Sequence, residues 1–298
     1  MKTIAELFER PVDRTIEEVI KVDQANEAAV RSEIDEYIVT DSIRGQFQEV
    51  YREIAGGPAA PREGIGIWVS GFFGSGKSSF AKILGYTVAN RKVGAAAAAD
   101  LFKKTLQDAA VGALLDNINT RIPFHAVIFD VSMDRGVRTA NDRLTEIMYR
   151  ALLRELGYAE DFDLAELEIA LEGDGRLKQF EDEFKKQHGG EWRKRRQLGL
   201  AINEASAVLN KLDPKTYPTA ESYAMATGQG RADVDPNKLA RRAFDLTARR
   251  YPGKALIFII DEVGQYVSRS VDKMLDLQAI IQAFGVEGKN RTERHEAV

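Results

Sequence analysis

The stretch IWVSGFFGSGKSSFAKIL (Ile67–Leu84) passes from an apolar run, through three glycines, into a helical pattern. Glycine costs roughly 0.5–1 kcal/mol inside regular structure, so Gly71, Gly74 and Gly76 crowded between two regular elements require a cause. Gly71 to Ser78 fits the spacing G-x-x-x-x-G-K-[ST] in full, with Phe72, Phe73 and Ser75 at free positions. In that pattern the glycines let the backbone curl until several N–H groups face phosphate oxygens. A helix beginning near Lys77 adds the positive end of its dipole. Lys77 then answers the β- and γ-phosphates as a point charge, and Ser78 offers its hydroxyl to Mg²⁺. The preceding IGIWVS (Ile65–Ser70) is short, apolar and bounded by glycine, which predicts a buried strand. After the loop, Phe80, Ile83, Leu84 and Val88 recur at helical spacing. A flexible turn alone would not need both flanking elements. Gly71 through Ser78, with Ser79, are the residues expected to bind ATP.

A second apolar run, LIFIIDE (Leu256–Glu262), ends in two acids. Such a run predicts a strand buried on both faces, and open α/β sheets bind ligands at the C-terminal ends of their strands. Asp261 is placed to hold Mg²⁺ through water, the Walker B role. Glu262 is placed to polarise an attacking water as general base. A solvated strand end is the alternative for these acids taken alone. FHAVIFDVS (Phe124–Ser132) predicts a further strand, whose last polar residues, Asp130 and Ser132, are candidate sensors of the γ-phosphate or simply a polar strand end.

The two motifs lie much farther apart than the ~30 residues of one strand–helix–strand unit. Between them, charged helical sequence fills about 158–250 as an insertion, with a break at His188 and a loop-like segment over 213–236. Residues 1–57 read as a helical lead-in, in which Ile43, Phe47 and Tyr51 share one helical face. GGPAAPREG (Gly56–Gly64) reads as a loop, and 58–298 as the core. The alanines Ala95–Ala99 suit a helix, and a last helix carries Met274, Leu277, Ile281 and Phe284 on one face and stops at Gly285. Strands alternating with helices predict an α/β fold of P-loop NTPase type (AAA/ASCE-like), a parallel sheet with helices on both faces and a helical insertion.

The remaining composition narrows the class. Among 298 residues 44% are hydrophobic and 30% charged, values ordinary for a globular chain. A net charge of −4 argues against holding nucleic acid by bulk electrostatics. There is no cysteine, so disulfides and thiolate metal sites are excluded. No apolar run approaches the roughly 20 residues that span a bilayer, and MKTIAELFERPVD lacks a signal-peptide core. A cytoplasmic location without membrane contact is expected.

With both motifs in hand, the words around them are informative. VIKVDQ (Val19–Gln24), IDEYIVT (Ile34–Thr40), WVSGFFGSGKS (Trp68–Ser78) and FIIDEVGQYVS (Phe258–Ser268) resemble the large P-loop ATPase of BREX phage-defence systems, BrxC, and its relative PglY. The helical words DRLTEIMYRALLRELGY and DLAELEIALEGDG fit the same pattern, so the resemblance covers nearly the whole chain. It implies an AAA-like ATPase module using ATP and Mg²⁺ in a multiprotein complex that blocks phage replication, with other defence proteins and further copies of itself as partners. It implies the phosphate-loop role for Gly71–Ser78, the magnesium role for Asp261 and the base role for Glu262. By analogy with related ATPases, Tyr37 to Thr40, Val39 included, would line the adenine pocket. Members of that family are longer and continue past the final helix into an apolar strand bearing a polar residue. Here GKNRTERHEAV (Gly288–Val298) is polar, so the sheet is expected to be incomplete at its C-terminal side.

That departure keeps a non-hydrolysing, nucleotide-dependent scaffold open as an alternative to an ATPase. A nucleic-acid motor or loader is the third reading. It rests on EWRKRRQ (Glu191–Gln197), where basic residues adjoin Trp192 but acids surround them, so a solvated helix face competes. Arg241, Arg242, Arg249 and Arg250 suit either ion pairs or an interface, and His125, His188 and His295 show no ligand spacing.

Overall fold

A computed structural model describes residues 26–57, 65–132, 143–227, 234–268, 270–294 and 296. The VIKVDQ word, most of the Gly56–Gly64 loop, and His295 lie outside them, as does the first half of the expected lead-in.

In the N-terminal half, the first two described helices each start on a side-chain cap. In α1 (Glu27–Glu36) the Asn26 side chain accepts from Ala28 N at 2.9 Å. In α2 (Asp41–Gly56) Thr40 Oγ1 accepts from Ile43 N at 3.3 Å, and Phe47 and Tyr51, one turn apart, are buried. After α3 (Lys77–Val88), the strands β1 (Lys92–Val93) and β2 (Ala96–Ala97) pair antiparallel, and α4 (Ala98–Leu106) and α5 (Ala109–Arg121) follow. The alanine run thus splits: Ala96 and Ala97 form strand, and helix begins only at Ala98, a correction of the all-helical expectation. Tyr51, Phe80, Ile83, Phe102 and Leu115 join in one core.

β3 (Phe124–Asp130) leads to α6 (Leu144–Glu155). Then come α7 (Phe162–Gly173), α8 (Leu177–His188), α9 (Trp192–Arg195), α10 (Ala201–Leu212) and α11 (Ser222–Thr227), which bury Leu167, Phe180, Phe184, Trp192 and Val208 in a core of their own. α8 stops because Gly189 takes a left-handed conformation (φ 69°), which glycine adopts without steric cost. α12 (Pro236–Arg250) begins with Asp235 as cap and proline at its start, and β4 (Ala255–Asp261), α13 (Val263–Val267) and α14 (Val271–Glu293) complete the described chain.

β3 and β4 pair in parallel, in register from Phe124↔Ala255 to Asp130↔Asp261. Because side chains alternate along a strand, Val127, Phe129, Leu256, Phe258 and Ile260 join one core with α6, α12 and α14. Phe124, Ile128, Ile257 and Ile259 face the other core, under α3. α3 approaches closely at Gly85: a Cβ there would lie 2.7 Å from Ile128 Cδ1 and 3.3 Å from Ile259 Cδ1.

The expected α/β architecture, a P-loop NTPase parallel sheet, is not what these residues form. The chain is mostly helical, and its strands amount to one parallel pair and one two-residue antiparallel pair among the described residues. Ile65–Ser70, expected as a buried strand, is neither strand nor buried, with Trp68 62% exposed. An apolar run signals burial but names no partner, and a strand exists only where a neighbour takes its backbone groups. The last helix also differs: α14 continues through Gly285 to Glu293. Gly288 sits where a Cβ would be 3.6 Å from Phe244 Cζ, and Arg291 binds Asp245 at 2.6 Å and Glu287 at 2.7 Å. Packing against α12 therefore outweighs the two glycines.

Enlarging Gly85 tests the seam between α3 and the sheet. Gly85→Val should destabilise the protein by about 1–3 kcal/mol through overpacking, read from the urea unfolding midpoint. An unchanged midpoint would remove the close approach at Ile128 and Ile259.

Candidate functional site

The loop Gly71–Gly76 is exposed, and Lys77, Ser78 and Ser79 are half-buried at the start of α3. Gly74 (φ 75°) and Gly76 (φ 86°) both lie in the left-handed region, where a side chain would be strained. Here the conformational reading of the glycines has a direct geometric basis. α3 begins on Gly76 with no side-chain cap and no acid in its first turn. Phe80 N donates to Gly76 O at 2.9 Å, and Ser75 N to Phe72 O at 3.2 Å. The amides of Lys77, Ser78 and Ser79 take no partner among the described residues, as expected for the first turn of a helix. Lys77 Nζ folds over the loop, donating to Gly71 O at 3.1 Å and Phe72 O at 2.8 Å. Gly71 is also constrained: a Cβ there would lie 2.7 Å from Ser75 Oγ. Phe72 (90% exposed) and Phe73 (fully exposed) project into solvent rather than packing beneath the loop.

The acids gather at the other feature. The last rung of the parallel pair sets Asp130 beside Asp261, and Val131 N donates to Asp261 O at 3.2 Å. Asp130 Oδ1 accepts from both Ser132 N and Ser132 Oγ at 2.6 Å, so these two sensor candidates bind each other. Asp261 Oδ1 accepts from Glu262 N at 2.9 Å, and its second carboxylate oxygen carries no bond from a described residue. Glu262 takes a left-handed conformation (φ 58°) at the start of α13, a backbone cost of order 1–3 kcal/mol for a non-glycine residue. That strain was not legible in the sequence. No group of three His, Cys, Asp or Glu side chains converges as a metal site among the described residues.

Tyr37, Val39 and Thr40 have structural duties. Thr40 caps α2, Val39 packs on the N-terminal core, and Tyr37 sits edge-on to Phe47, ring centroids 6.1 Å apart. Burial pushes the Tyr37 hydroxyl up to about 12. Phe47 in turn packs at a tilt against Phe80, ring centroids 4.4 Å apart, so this segment lies one aromatic layer from the first turn of α3.

The basic stretch is engaged internally. Trp192 is buried, donating from Nε1 to Glu168 Oε1 at 2.6 Å, and its face is not open to a base. Arg196 reaches the same buried carboxylate at 2.7 Å, and Arg195 clasps Glu204 with both Nε and Nη2. Arg193 and Lys194 lie near Glu181 and Glu191. Likewise Arg242 pairs with Glu166, while Arg249 and Arg250 meet Glu172 at 3.3 and 2.9 Å, stitching α12 to α7. These arginines form ion pairs within the fold.

No family model and no solved structure matches the chain. No helix of the described residues is long and apolar enough to cross a membrane.

Proposed function

We propose that Gly71–Ser78 binds the phosphates of ATP, with Mg²⁺, and that the protein is an ATPase component of a BREX-type phage-defence complex. One observation carries the binding proposal: two left-handed glycines deliver the chain into a helix whose first amides are unclaimed, with the Lys77 ammonium folded over the same loop. Such a helix start favours an anion through both its N–H groups and its dipole. Lys77 would exchange loop carbonyls for phosphate oxygens. The Ser78 hydroxyl and the free oxygen of Asp261 would hold the ion, and Glu262 would take the proton of an attacking water. Bound MgATP would supply a phosphoanhydride whose cleavage can drive conformational change. Placement in phage defence, with other defence proteins and further copies as partners in the cytoplasm, rests on the resemblance of the loop and strand words alone.

Ile65–Ser70, which leads into the loop, has no strand partner among the described residues. That favours a second reading, a scaffold that binds nucleotide without turnover. Phosphate release by purified protein separates the two: release above buffer supports the ATPase, and its absence alongside MgATP binding supports the scaffold.

Lys77→Ala should weaken MgATP binding at least about 100-fold, since it removes a charge from the phosphate site. Calorimetric titration reads this directly, and an unchanged affinity would refute the loop assignment. Glu262→Gln should retain MgATP affinity and lose phosphate release by about 10²–10⁴-fold, the usual range for removing a general base. Equal turnover in the two proteins would take Glu262 out of the mechanism.

A further inference from the structure

Ile65–Ser70 is an apolar stretch in an irregular, exposed part of the chain, with Ile65, Ile67, Trp68 and Val69 all open to solvent. None of its backbone N–H or C=O groups bonds to a described residue. At Gly66 it lies along α14, where a Cβ would be 3.6 Å from Ile281 Cδ1, and it does not pair with β4.

β4 shows the complementary shortage. β3 takes one of its edges, and no described strand takes the other. Edge strands are ordinarily blunted by lysine, proline or a bulge. β4 reads ALIFII from Ala255 to Ile260, without charge or proline, and most of it is half-exposed although helices cover both faces. Its composition is that of a strand buried on both faces, and its outer edge carries none of the features that discourage pairing.

One molecule therefore carries an unpaired apolar segment and an unpaired apolar edge of nearly equal length. Six residues of strand span about 20 Å, close to the reach of the seven-residue β4. We propose that Ile65–Ser70 of one copy pairs as a β-strand on the outer edge of β4 of a second copy. Reciprocal exchange satisfies both edges and closes as a two-fold dimer. The unpaired backbone on each element selects a strand as occupant rather than a helix, and an identical chain brings both halves. Such a dimer stands on these unpaired segments and does not rest on the nucleotide-binding proposal.

The test follows molecular mass by light scattering, together with tryptophan emission, over a concentration series of the full chain. Trp192 is buried, so of the two tryptophans Trp68 reports on this contact. The mass should double as concentration rises, with a blue shift of Trp68 emission over the same range. Val69→Pro keeps an apolar side chain but removes the N–H and fixes φ, so it should remain monomeric with unshifted emission. Ile67→Lys, also exposed, should do the same. Circular dichroism of each variant verifies that the fold is kept. A monomeric wild type throughout the series would overturn the proposal, as would growth beyond a dimer. A Val69→Pro protein that dimerises while Ile67→Lys does not would also overturn it, because side-chain contact rather than strand pairing would then hold the copies.

Discussion

The parallel pairing of Phe124–Asp130 with Ala255–Asp261 is the constraint on which the rest depends. It joins segments separated by the whole helical insertion, so its loop-closure entropy must be met by burial on both faces. Both cores supply it: α6, α12 and α14 close over Phe129, Phe258 and Ile260, while α3 closes over Ile128 and Ile259. The same register sets Asp130 beside Asp261. A slip of one residue would exchange the faces of every side chain and separate the acids. Packing and the placement of acidic groups are therefore one event in this molecule.

The insertion answers a different demand. Its sequence is so charged that a folded core was not evident in it, yet Phe180 and Phe184 each meet Trp192 edge to face, at 5.1 and 5.0 Å. Glu168 is almost wholly buried and accepts from Trp192 Nε1, Arg196 and Ala159 N. A buried carboxylate is tolerable only when its lone pairs are taken in this way. Two members of the basic run that suggested nucleic acid, Arg195 and Arg196, are thus spent on acids of neighbouring helices, Glu204 and Glu168, while Arg193 and Lys194 stay largely exposed.

How much the sequence revealed follows from the kind of signal each segment carries. The loop was legible because its chemistry is local: left-handed glycines and an uncapped helix start are dictated by a few adjacent residues. β3 and β4 were legible as strands because β-branched and aromatic residues run unbroken to an acid in each. The sheet was not legible. Ile65–Ser70 has the composition of a strand, but pairing is a property of two segments, and no single run encodes its neighbour. The end of α14 was misread for a similar reason. Gly285 and Gly288 would stop an isolated helix, whereas here Phe244 and the Asp245–Arg291 pair hold the helix past them.

The Gly71–Gly76 loop is held in place without a strand leading into it. Its geometry is fixed from the far side. Phe80, bonded back to Gly76 O, is clamped by Phe47 at 4.4 Å, and Lys82 is buried against Glu33 at 2.5 Å. Two turns on, Gly85 lets α3 settle on the sheet that carries Asp261. The helix, not the preceding segment, therefore positions the amides of Lys77 to Ser79. A displacement of Ile65–Ser70 would leave those amides where they are, whereas a displacement of α3 would carry them away with it.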